Sequence, residues 1–395
     1  METRESTSFG LVLILWLAGL CAAAQFAKFS VIFPTLETLY PNTGAALGFL
    51  VSLISLLGIL LGLFAGLIVA RIGFRRLLIF ALVLGALVSV IQSFLPALPI
   101  MLAIRVVEGM SHLIIVVAAP TLIVQVTAQR HRAMAMTLWS TFFGVSFALV
   151  AWFGIPLVDR HGAGSLFLVH AVALTVIAVA LFILLPPQRK LSDRPKGIGL
   201  AEVVSLHKQI YRSPFKSAAA MGWLFYTMTF VSLLTVLPGF VAEESRKLVT
   251  SAMPLAGIAS SMTVGLMLLR YFAAVRVVML GFGLSAAVVL LLWMVPGDPV
   301  LSIALAAALG LIQGASFTAI PQLNSDPQAL AHANGAVAQM GNFGNTIGTP
   351  LLLLMTMLMG YQGLIVFAVF CYTGGLLVHL LLARRRRMSP QVSPV

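Results

Sequence analysis

Arg105-Val106-Val107-Glu108-Gly109-Met110-Ser111-His112 sets three ionisable residues inside an apolar run covering residues 98–127. At helical spacing Arg105, Glu108 and His112 fall at i, i+3 and i+7, so they share one helix face. A charge at the centre of a bilayer costs about 3 kcal/mol or more, so such a face turns toward a bundle interior or a water-filled cavity. With 1.5 Å of rise per residue, Arg105 lies roughly 10 Å into the hydrocarbon, Glu108 roughly 15 Å and His112 roughly 20 Å, against a core of about 30 Å. Glu108 therefore sits near the midplane. Two readings of the pair stand side by side: Arg105 and Glu108 neutralise each other and join two helices, or they form a working site. His112 belongs to that site or is a packing residue.

The composition extends this reading to the whole chain. Of 395 residues, 60% are hydrophobic and 9% charged, with mean hydropathy +1.06, which excludes a soluble globular protein and defines an all-α integral membrane protein. The net charge of +13 does not indicate nucleic acid. The basic residues lie mostly between apolar runs, where the positive-inside rule puts them, and their partner is the anionic bilayer surface. Cys21 and Cys371 both fall inside apolar runs without metal-ligand spacing, so neither a disulfide framework nor a metal site is indicated.

Apolar runs long enough to cross a membrane recur along the chain. The first, residues 9–33, is longer than the apolar region of a signal peptide and is followed by many more spans, so it is expected to stay as a helix. It carries Gln25 and Lys28 on one face, with Lys28 either lining a cavity or reaching back to the headgroups. Further spans are expected near 44–70, before 95, and at 98–127, 133–158 and 163–185. Residues 186–216 are basic and hold no run able to span. Within them, 200–211 has amphipathic character and reads as an interfacial helix or a solvated loop. Spans then follow near 217–241, 250–269, 274–295, 300–320, 328–359 and 364–383. About twelve transmembrane helices result: a six-helix half over 1–185, a cytoplasmic connection over 186–216, and a six-helix half with a basic tail over 217–395.

Arg4, the loop 71–76, Arg130, Arg132, the connection, Arg270, Arg276 and Arg384 to Arg387 all fall on one side. The other side holds Arg160, Arg246 and Lys247. This asymmetry predicts a multi-pass protein of the cytoplasmic (inner) membrane with both termini in the cytoplasm. The halves also resemble each other at a shift of about 200 residues. Glu108-Gly109-Met110-Ser111 matches Gln313-Gly314-Ala315-Ser316, and Phe143-Gly144 matches Phe343-Gly344. Arg105 has Gly310 as its counterpart. The charges are confined to the first half.

These residues resemble the major facilitator superfamily of secondary transporters over nearly the whole chain. The family's loop signature Gly-x-x-x-Asp-Arg-x-Gly-Arg-Arg is similar to Gly66-x-x-x-Ala70-Arg71-Ile72-Gly73-Phe74-Arg75-Arg76. The resemblance implies a gating loop of Gly66, Arg71, Gly73, Arg75 and Arg76. Ala70 replaces the aspartate that in the family helps to latch the cytoplasmic side, so a weak latch is expected. The family's helix 4 motif Arg-x-x-Gln-Gly is similar to Arg105-Val106-Val107-Glu108-Gly109, with glutamate for glutamine. The helix 5 antiporter motif is represented only by Gly144, Gly154 and Pro156.

The resemblance implies a secondary active transporter, not an enzyme, that moves a small solute by alternating access through a cavity between the halves. The candidate substrate-binding or coupling residues are Arg105, Glu108, His112, Lys28 and Gln25 in the first half, with Tyr226, Gln313, Gln339, Asn342 and Asn345 in the second. The amide stripe of the eleventh span reads as solute-binding or as helix packing beside Gly341, Gly344 and Gly348. Lys28 and Arg105 against Glu108 leave a site no more negative than neutral, which suits a small anion or polar neutral solute. A proton-driven multidrug or cation pump and a transport-dead receptor are the alternatives. No cofactor is expected. No Gly-x-x-x-x-Gly-Lys-Ser/Thr run occurs, so active transport has to use an ion gradient, with the proton as the expected coupling ion, or a partner protein.

Overall fold

The computed structural model describes residues 6–62, 73–186, 200–324 and 326–388. Every regular element among them is helical. Among the described residues eleven helices are long and apolar enough to cross a membrane: α1 (Phe9–Ser30), α2 (Gly44–Gly62), α3 (Phe74–Ser93), α4 (Leu98–Val126), α5 (Gln129–His161), α6 (Ala163–Leu184), α7 (Ala218–Phe240), α8 (Glu243–Tyr271), α9 (Ala274–Met294), α10 (Pro299–Leu323) and α12 (Tyr361–Met388). Between α10 and α12 runs α11 (Pro327–Met359), whose 33 residues span about 50 Å at helical rise. The chain separates into two compact units, Met1–Pro195 and Lys196–Val395.

Local chemistry starts several of these helices. Proline stands in the first turn of α4, α10 and α11, where its missing N–H costs nothing. Asp298 accepts from Leu301 N at 2.8 Å and Asp326 from Ala329 N at 2.8 Å, capping α10 and α11. Gly73 (φ 107°) opens α3 and Gly162 (φ 78°) separates α5 from α6, both in backbone conformations that side chains disfavour.

Burial runs opposite to that of a soluble helix. In α6, Val169, Val172, Val176 and Val179 are exposed while Phe167, His170, Leu174 and Leu181 are buried. An outward apolar stripe facing lipid with a histidine turned inward is the pattern of a membrane bundle.

The expected duplication is visible in packing. A side chain at Gly109 on α4 would strike the main-chain carbonyl of Ile54 on α2, and one at Gly314 on α10 would strike the hydroxyl of Ser261 on α8. Each unit thus brings its fourth helix against its second at matched glycines. Gly344 and Gly348 on α11 do the same against the backbone of α7.

Of the stretch 186–216, residues 200–212 form a helix (Leu200–Arg212). It lies with the second unit: Ile210 is buried beside Ala219, Ala220, Ile320, Ala333 and Val337. Val204, Lys208 and Arg212 are exposed on it.

Candidate functional site

The α4 stripe points into the first unit, and four other helices meet it there. Arg105 and Glu108 form an ion pair through Nη1 and Oε2, both fully buried. Lys28 Nζ, on α1, lies 2.6 Å from Glu108 Oε1 and is also fully buried. The snorkelling alternative for Lys28 does not describe this geometry; its ammonium is turned into the bundle. Gln92 on α3 bridges the charges, accepting from Lys28 Nζ on Oε1 at 2.6 Å and donating from Nε2 to Glu108 Oε2 at 2.6 Å. Only this orientation of the amide matches a donor to the carboxylate and an acceptor to the ammonium. Ser89, one turn before Gln92, accepts from Lys28 Nζ at 2.8 Å. His170 of α6 stands 3.2 Å from Lys28 Nζ and 2.8 Å from Ser89 Oγ through Nδ1.

Arg105 also binds the backbone of two neighbouring helices. Its Nε donates to Leu50 O at 2.6 Å, Nη2 to Val51 O at 3.2 Å and Nη1 to Gln25 O at 2.9 Å. In a continuous α-helix the carbonyls of Leu50 and Val51 would serve the amides of Ile54 and Ser55. Those two residues lie in a 3-10 turn, Leu53–Ser55, and the guanidinium takes the carbonyls. The guanidinium also sits 4.3 Å from the ring centre of Phe29, a favourable cation–π position.

His112 follows on the same face but meets backbone, with Nδ1 3.0 Å from Ala22 O and its ring edge-on to Phe26 at 5.1 Å. It joins α4 to α1 beside the charged network. Gln25 donates to Ser111 Oγ at 3.0 Å, and Ser111 donates to Ala81 O at 2.7 Å.

In the second unit Tyr226 OH donates to Gln313 Oε1 at 3.2 Å, and Tyr226 stacks between Trp223 and Phe230 at 4.4 and 5.2 Å. Gln339 is placed elsewhere. It accepts from Tyr211 OH at 2.8 Å and meets His207 Nε2 at 3.1 Å, which ties α11 to the helix Leu200–Arg212. Asn342 donates back to Ala338 O at 2.8 Å, and Asn345 is half-buried. Among the described residues both ion pairs between side chains lie in the first unit.

Of the loop motif, Gly66, Ala70 and Arg71 lie outside the described residues. Gly73 begins α3. Arg75 donates to Leu185 O and Phe182 O, each at 2.7 Å, capping the end of α6, and Arg76 is exposed. Sequence reasoning passed over Ser89, Gln92 and His170. The signal was present: a glutamine and a histidine inside spans 74–93 and 163–184 are polar groups that lipid disfavours unless they find partners.

The described residues thus form a helical membrane protein of two compact units, with a buried charged network in the first. A family model for the Major Facilitator Superfamily matches residues 15–326, and the chain belongs to that superfamily of secondary transporters. No curated protein matches the chain. Among solved structures, it is similar to the crystal structure of a bacterial homolog of the human lysosomal transporter Spinster, in an inward-facing and unoccupied conformation. That match has TM-score 0.78 and 14% identity, covering 99% of this chain and 100% of the other. At that identity the likeness shows the fold.

Proposed function

We propose that this chain is a proton-coupled secondary active transporter of the cytoplasmic membrane that moves a small anionic or polar neutral solute by alternating access. The observation that carries the reading is a count of charges: Lys28 and Arg105, both fully buried, share the single carboxylate of Glu108. A buried excess of positive charge is expensive and is relieved by losing a proton or by meeting an anion. A lipophilic cation would add to the excess, which argues against the cation-pump alternative. Tyr226 and Gln313, with Trp223 beside them, are the proposed solute contacts of the second unit. Asn342 and Asn345 remain candidates there.

The test begins with purified protein and a thermal-shift screen of small acids, amides and cationic dyes. A ligand at 100 times its dissociation constant stabilises by about 2.7 kcal/mol. Small acids or amides are expected to raise Tm and then to accumulate in sealed vesicles when a pH gradient is imposed. Stabilisation by cationic dyes alone would support the pump, and binding without flux would support a receptor.

The proposed orientation makes its own prediction. Both native cysteines are buried, so background labelling is low. With an impermeant thiol reagent on intact cells, Lys247→Cys is expected to label, whereas Lys208→Cys labels only after the membrane is opened. The reverse pattern would invert the topology.

A further inference from the structure

We infer that the proton moved by this network is held on Lys28, with Ser89 and His170 as its relay, rather than on Glu108. The inference rests on the proton-coupled reading above and assigns the group within it.

Three charged side chains meet, and they differ in what they can give up. Arg105 is a guanidinium, which keeps its proton in proteins, and its donors are engaged by Leu50, Val51 and Gln25 carbonyls and by Glu108. Glu108 Oε2 accepts from both Arg105 and Gln92, while Oε1 faces Lys28 as an ion pair at 2.6 Å without a formed hydrogen bond. A proton placed on either oxygen would leave two buried cations with no counter-charge. Lys28 can instead give up a proton and keep two N–H groups for its acceptors, and the network reaches neutrality when that proton leaves His170.

The surroundings of Lys28 also supply a path. An ammonium has three N–H groups, yet four acceptors stand within hydrogen-bond reach of Nζ: Glu108 Oε1, Gln92 Oε1, Ser89 Oγ and His170 Nδ1. His170 Nε2 lies 2.9 Å from Cys21 O, which can only accept, so Nε2 carries the hydrogen and Nδ1 is bare. Ser89 Oγ then accepts from Lys28 and donates to His170 Nδ1. In the transfer an N–H bond of the ammonium breaks and its proton goes to Ser89 Oγ, while the Ser89 hydroxyl proton passes to His170 Nδ1. Lys28 ends as a neutral amine, Ser89 is unchanged and His170 is an imidazolium. The ionisable groups facing Lys28 are Glu108 and Arg105 on α4, His170 on α6 and Cys21 on its own helix. From α3 it meets Ser89 and Gln92, neither of which ionises.

Among the described residues Lys28 is the only buried lysine, which makes it observable without any solute. Wild-type protein labelled with 13C at lysine Cε is titrated in detergent with a soluble gadolinium chelate present, which broadens solvent-exposed lysines. One sharp resonance is expected to reach the amine shift at a pH where the broadened ones still show the ammonium shift, and Lys28→Arg removes it. A protected resonance that holds the ammonium shift until the others titrate would overturn the assignment. Ser89→Ala, which breaks the relay and keeps the ion pairs, is expected to slow the exchange between the two Lys28 forms. An unchanged exchange rate would remove Ser89 from the path. Because this readout needs no transport, Lys28 titrating in a protein that fails to accumulate solute under a pH gradient supports the assignment while contradicting the coupling.

Discussion

Glu108→Ala is expected to remove most of the folded protein from the membrane. The substitution leaves Lys28 and Arg105 fully buried with no counter-charge and takes the acceptor from Gln92 Nε2. Deleting one partner of a buried ion pair costs about 3–5 kcal/mol, a large share of a typical stability of about 5–15 kcal/mol. Fluorescence size-exclusion of tagged protein reads the outcome directly. Glu108→Gln also removes the counter-charge but keeps the bulk and one acceptor, so it should lose less folded protein than Glu108→Ala. It should exchange solute but lose accumulation driven by a pH gradient, because without the carboxylate the second cation has nothing to hold its proton. A monodisperse Glu108→Ala protein at wild-type level would mean that the charges are compensated elsewhere.

Gly109→Ala is the second large effect, from the addition of one methyl group. The new Cβ would press on the backbone carbonyl of Ile54, which cannot rotate aside. Overpacking of this kind costs about 1–3 kcal/mol. Here it acts twice, since pushing α2 from α4 also stretches the bonds from Arg105 to Leu50 and Val51. A clear fall in Tm and loss of transport are expected. Gly314→Ala meets the Ser261 hydroxyl, which can turn away, so its effect should be smaller. Gly10→Ala meets nothing within 4 Å and should be silent. Equal melting of all three variants would refute the close α2–α4 contact.

Much of the architecture was legible because lipid enforces it. Hydropathy marks most of the spans, α11 being the exception among the described helices, and the cost of intramembrane charge turns Arg105, Glu108 and Lys28 inward before any contact is known. What periodicity cannot supply is the element that packs over a face. The stripe Gln339, Asn342, Asn345 reads as one surface of α11, yet Gln339 is covered by His207 and Tyr211 from a helix that the sequence leaves open between interface and loop. Arg75 sits in a motif whose resemblance implies gating, but its side chain caps α6 at Leu185 and Phe182, a contact across more than 100 residues. His170 and Gln92 form no polar stripe in their own spans that would mark them from sequence. Only the fold shows that both converge on Lys28.

The most direct test of proton coupling through this network replaces its charges together: Lys28→Met, Arg105→Leu and Glu108→Leu in one protein. Apolar groups of similar bulk often replace buried ions without loss of stability, and although the Leu50, Val51 and Gln25 carbonyls lose their donor, the triple variant is expected to keep more folded protein in the membrane than Glu108→Ala. The measurement is uptake, in proteoliposomes, of a solute found by the binding screen, with and without an imposed pH gradient. Coupling through the network predicts that the gradient drives no accumulation by the triple variant, although it drives accumulation by the wild type. Accumulation at the wild-type level by the triple variant would contradict it.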